Sequence, residues 1–146
     1  MKLFSSLLFF LFFNSFFSQN PISWEIIYEN SRKEILFNAV IKNGWHLYAV
    51  NVPDPNHGPL PTEFTFNENK NYSIVDKIKQ ENPTIEFDKD FGVKIAYYKN
   101  QTQFIQPILS TEGRFKLSGA IEYMTCNEEK CLPFNYKFEI LINHQD

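Results

Sequence analysis

The chain is short of cysteine, of basic clusters, of helical periodicity and of any second long apolar run, and each shortage excludes something. Its only cysteines are Cys126 and Cys131. With no second cysteine or histidine pair, a four-ligand zinc clip lacks half its donors. His46, His57 and His144 are scattered along the chain, and adding His46 to the cysteines gives three ligands at best. Fourteen Lys and Arg stand against seventeen Asp and Glu, a net charge of −3. A mildly acidic chain without a basic cluster argues against nucleic acid as a partner. No segment keeps an i, i+3, i+4 apolar stripe for three turns, so no helix is predicted. Nothing after the first twenty residues is apolar enough to span a bilayer, so the mature protein is expected to be soluble, with no membrane insertion. No internal repeat or low-complexity linker divides it.

The opening "MKLFSSLLFFLFFNSFFSQN" combines a positive charge at Lys2, an apolar run from Leu7 to Phe13, and a small-residue exit at Ser18. That pattern is a secretory signal peptide, with cleavage expected after Ser18; the alternative is an uncleaved anchor. The division expected is a signal peptide over residues 1–18 and one domain over 19–146. Removal leaves about 130 residues, enough to bury a core without help from disulfides. Export would also allow a disulfide to persist.

The mature part reads as strands. "ISWEIIYE" and "EILFNAVI" are rich in β-branched and aromatic residues, with "SRK" as a turn between them. "GWHLYAV" follows the turn signal Asn43-Gly44. "VPDPNHGPLP", with four prolines and a glycine, is a loop. "TEFTF", "YSIV", "TIEF", "VKIAYY" and "TQFIQPIL" are further strands. The last two, "FKLSGAIEYM" and "FNYKFEILIN", alternate cleanly: Phe115, Leu117, Ile121 and Tyr123 on one face, then Phe134, Tyr136, Phe138 and Ile140. Such alternation means one packed face and one wet face. About nine short strands with turns every 8–12 residues predict an all-β, immunoglobulin-like sandwich of antiparallel sheets, ending in a cysteine hairpin.

In that hairpin Cys126 ends one strand, Asn127–Lys130 turn, and Cys131 begins the next. Facing residues have Cα atoms roughly 4.5–5.5 Å apart, within disulfide reach. As a staple the bond offers little, because closing so small a ring removes only about 2 kcal/mol of unfolded-state entropy. As an exchange couple, a disulfide at a domain edge is open to an incoming thiolate. Lys130 favours a local thiolate while Glu122, Glu128 and Glu129 oppose it. That balance suits a pair driven by a partner's reactive cysteine. These grounds leave staple and exchange level.

"GAIEYMTCNEEKCLPF" resembles the cysteine hairpin of the N-terminal periplasmic domain of DsbD, the thiol:disulfide interchange protein. "IKNGWHLYAV" is similar to that domain's turn and aromatic strand, and "DKDFGVKIAYY" to its acidic-Phe loop and following strand. The resemblance spans about Ile41 to Ile142. It implies an immunoglobulin-like fold and a cysteine pair that takes electrons from a thioredoxin-like dithiol and passes them to Dsb-type client oxidoreductases. It implies further that Cys131 enters mixed disulfides and Cys126 resolves them. Phe91, with Asp90, would belong to a cap loop shielding the sulfurs, the alternative for Phe91 being a core aromatic. Tyr48 and His46 would lie on the neighbouring strand, His46 where the family often has an aromatic hydroxyl. The family's best-known members fuse this domain to a membrane electron conduit and a thioredoxin-like domain. Neither lies within these residues, so a stand-alone exported, periplasmic module is expected, with a separate conduit as a partner. No cofactor and no metal are expected. The competing expectation is a non-catalytic binding domain whose disulfide only shapes a loop.

Overall fold

The computed structural model describes residues 20–111 and 113–144; the segment read as a signal peptide lies outside them. Eleven strands and no helix occur among the described residues: β1 (Ile22–Glu29), β2 (Glu34–Ile41), β3 (His46–Tyr48), β4 (Glu63–Phe66), β5 (Tyr72–Ile74), β6 (Lys79–Gln80), β7 (Thr84–Asp88), β8 (Val93–Tyr98), β9 (Gln101–Ser110), β10 (Gly113–Cys126) and β11 (Cys131–His144). β1, β2 and β8 coincide with the stretches "ISWEIIYE", "EILFNAVI" and "VKIAYY". β6, two residues long, lies where the sequence carries no alternation to reveal it.

The strands form two antiparallel sheets. One runs β1-β2-β9-β5 with β6 also on β9; the other runs β11-β10-β3-β8-β7 with β4 also on β10. Long strands anchor each sheet, and short ones share their free edges. β10 pairs β3 at Thr125 and Cys126, and β4 from Gly119 to Glu122. Between those two contacts the proline-rich loop leaves the sheet, since proline has no N–H to give a ladder. Its base is tied: the buried Thr62 donates its hydroxyl to Tyr48 O at 2.6 Å, and its N–H to Ala49 O at 3.1 Å.

The core between the sheets is aromatic. Phe37 is fully buried and meets Phe64 at 4.8 Å and Phe138 at 5.3 Å between ring centres. Leu117, Ile121 and Ile142 fill the rest from the last two strands, on the faces their alternation predicts. β4 crosses β10 so closely that a Cβ on Gly119 would lie 2.0 Å from Thr65 O. Only glycine permits that approach.

Candidate functional site

The hairpin is one long ladder of fourteen pairs from Gly113↔His144 to Cys126↔Cys131. Asn127 closes it. Its N–H donates to Lys130 O at 2.9 Å, and its Oδ1 accepts from the N–H groups of Glu129 and Lys130 at 3.0 and 2.8 Å. One step further on, Cys126 and Cys131 face each other with Cα atoms 4.0 Å apart and form a disulfide. This is closer than the sequence-based range.

The two cysteines are not equivalent. Cys126 is 2% exposed, while Cys131 is exposed. The topology explains the difference. β10 is interior to its sheet, and Cys126 pairs His46 of β3 on its second side. β11 is the sheet's edge, so among the described residues no strand lies on the outer flank of Cys131.

Cys126 belongs to a small buried cluster, with Tyr48, Ile95 and Tyr97, separate from the main core. Leu47, Ala96 and Tyr98, the neighbours in sequence, belong to the main core, so strand alternation puts this cluster on the sheet's outer face. Tyr48, 1% exposed, donates its hydroxyl to Cys126 Sγ at 3.3 Å. His46 Nε2 lies 3.0 Å from the same hydroxyl. The half-buried His46 ring also sits 5.1 Å from the Tyr97 ring, over which Lys99 Nζ rests at 5.2 Å. Burial pushes the Tyr48 hydroxyl far above the usual tyrosine range, reinforced by the Asp88 and Tyr97 charges. Burial, with Lys99, holds His46 below its ordinary value, opposed by Asp88 and Glu86.

Beside this chain of contacts opens a groove of about 410 Å³ walled by His46, Asp88, Asp90, Tyr97, Lys99 and Asn127. Asp88 shapes its rim. Asp88 Oδ1 accepts from the N–H groups of Asp90 and Phe91 at 2.8 and 3.0 Å, and its carbonyl from Gly92 at 2.8 Å. Gly92 takes φ +71°, which closes the β7–β8 turn.

The structure therefore brings together Cys126, Cys131, Tyr48 and His46, and places Asp90 in the adjoining wall. Phe91 sits on the same turn, 37% exposed and in neither buried cluster; it is not a core aromatic. Tyr97, Asp88 and Lys99 were not anticipated. Their signal is lateral: Tyr97 pairs Tyr48 across β8 and β3, a register no single stretch of sequence reveals. Among the described residues no three His, Cys, Asp or Glu side chains are grouped to hold a metal ion. None of the helix criteria for a membrane span is met there either.

Residues 16–143 match the family "Thiol:disulfide interchange protein DsbD, N-terminal". Among solved structures, the chain is similar to the Neisseria meningitidis DsbD N-terminal domain in its reduced form. That likeness has TM-score 0.61 and 16% identity, over 84% of this chain and 86% of that one. It is also similar to a chain in the complex between the DsbD N-terminal and PilB N-terminal domains from Neisseria meningitidis, with TM-score 0.58 and 15% identity, over 86% and 89%. At such identities the likeness is one of fold. No curated protein matches the chain significantly.

Proposed function

The chain belongs to the family of the N-terminal domain of the thiol:disulfide interchange protein DsbD, and from that premise we propose that it is an exported interchange module relaying reducing equivalents between thioredoxin-like partners through Cys126 and Cys131. The observation that carries this reading is the unequal exposure of the pair. An incoming thiolate meets the exposed Cys131 before the buried Cys126, and exchange rate depends on access. It bonds to Cys131 Sγ as the Cys126–Cys131 bond breaks, and Cys126 leaves with the electron pair and takes up a proton. A second thiol of the donor then displaces Cys131, leaving the donor oxidised and both cysteines reduced. Passing the electrons onward runs the same steps in reverse, with Cys131 attacking a client disulfide and Cys126 resolving the intermediate.

Tyr48 supports Cys126 in this reading, and Asp90 and Phe91 belong to a cap that moves when a partner docks. The solved complex of a DsbD N-terminal domain with a PilB N-terminal domain supports docking by a second protein domain. Residues 1–18 are removed on export to the periplasm, and a membrane conduit supplies electrons. N-terminal sequencing of the exported protein checks the cleavage after Ser18. No cofactor enters the scheme.

Equilibration against glutathione or thioredoxin tests the central claim. A potential within the range of exchange couples is expected; one well below about −300 mV marks a structural bond and overturns the relay. Trapping tests the roles. Cys126→Ser is expected to accumulate a mixed disulfide through Cys131 with a thioredoxin-like donor, and Cys131→Ser to form none, because only the first variant keeps the attacked sulfur without the resolving one.

A further inference from the structure

The hydrogen-bonded row that ends on Cys126 does not end at Tyr48. It continues to His46, whose ring forms part of the groove wall, so the buried sulfur has a connected path to an open cleft. Cys126 itself is 2% exposed, so water does not reach it freely. Each time the disulfide opens, its sulfur must gain a proton, and each time Cys126 resolves an intermediate it must lose one. A thiolate left in that apolar cluster is costly unless hydrogen bonds or a nearby positive charge favour it.

Resting on the exchange reading above, we infer that His46, acting through the Tyr48 hydroxyl, is the proton relay for Cys126. In the resolving step the Cys126 thiol passes its proton to Tyr48 Oη, and Tyr48 passes its own to His46 Nε2. The Cys126 thiolate then attacks Cys131 Sγ, re-forming the disulfide and releasing the partner as a thiolate. The net result is one imidazolium at the groove, which returns its proton to water. When the disulfide is opened by a partner, the proton travels the other way. Tyr48 is the catalytic residue here, since it touches the reacting sulfur; His46 acts through it.

The groups around the imidazole are of both signs. Glu86 and Asp88 face it from β7, Asp90 from the following turn, and Glu128 from the hairpin tip. Tyr97 packs on it from β8, and Lys99 lies just beyond. The carboxylates favour the imidazolium that the relay creates, and Lys99 together with burial keeps it short-lived. The ring is thereby returned to neutrality with its proton kept on Nε2, which donates to Tyr48 Oη while that hydroxyl donates to Cys126 Sγ.

The reduced chain mixed with a limiting amount of the disulfide of thionitrobenzoate tests this. A first coloured thiolate is released as Cys131 attacks the reagent, and a second as Cys126 displaces the reagent from Cys131. The second phase is unimolecular and reads Cys126 alone. In His46→Gln it is expected to slow roughly 10- to 100-fold at neutral pH, within the range of general acid–base effects. Its pH inflection is expected to move up by more than about one unit, because the thiol has lost the partner that favours its charged form. Tyr48→Phe should do the same, and the first phase should be unchanged in both. His46 is half-buried at the groove wall, so His46→Gln carries the test even if Tyr48→Phe fails to fold. A second phase with the same rate and pH profile in His46→Gln and wild type overturns the relay and leaves the exchange reading intact. No second phase in the wild type overturns the exchange reading, and the relay with it.

Discussion

Phe91 shows how much one residue's place can decide. A phenylalanine before a glycine in "DKDFG" reads by itself first as core, and as cap only by the family resemblance; its surroundings settle only that it is not core: the ring is 37% exposed and outside both buried clusters. Phe91→Ala is therefore expected to cost about 1 kcal/mol or less. A core phenylalanine would cost about 3–5 kcal/mol. As a cap, the ring should also slow reduction by a small thiol, so the variant should react faster with dithiothreitol while folded. Urea denaturation and the reduction rate, measured on the same protein, separate the two effects. Lost stability without faster reduction would remove Phe91 from the site. Tyr48 and His46 could be placed on one strand from the sequence. That their polar ends line up on a sulfur could not, because the contact depends on Cys126 pairing His46 across the sheet.

At the scale of elements, legibility followed alternation. β10 and β11 alternate without a break, and their packed faces could be written down from the sequence. Both run beyond that pattern, to Cys126 and from Cys131, because backbone pairing continues through Met124↔Pro133 and Thr125↔Leu132 whatever the side chains. β3 falls short of the predicted "GWHLYAV", holding pairing only from His46 to Tyr48, since the chain departs into the proline-rich loop. The sharing of β10's edge by β3 and β4 was not legible, for nothing local announces which strands will meet. Gly119 marks it in hindsight. Gly119→Ala puts a methyl against the Thr65 carbonyl and the Phe138 ring. A loss of about 1–3 kcal/mol is expected, the range for overpacking, with faster amide exchange along β4. Unchanged exchange in Glu63–Phe66 would show that β4 tolerates the displacement.

For the whole molecule, the disulfide is a small part of what holds the fold. The ladder of fourteen pairs keeps the hairpin shut without it, and the ring it closes is short. Reduction is expected to lower stability by about 2 kcal/mol at most and to leave near-ultraviolet circular dichroism intact. Cooperative unfolding on mild reduction would contradict this. Stability should also depend on pH at both ends. His46 is held below its ordinary value of 6.5, so its contribution is full above that value and lost as pH falls through the lower folded one. At the alkaline end burial, with the nearby charge of Glu81, pushes Tyr98 from 10.0 up to about 12. Its contribution is full below 10 and lost as pH rises toward 12. Melting temperatures across pH check both limbs, and His46→Gln should flatten the acid one.

The open flank of β11 has one more consequence. A row of backbone donors and acceptors along a sheet edge invites another strand, and Pro133, two residues from Cys131, interrupts that row because it has no N–H. The proline guards the edge beside the exposed cysteine against pairing with a second copy of the chain.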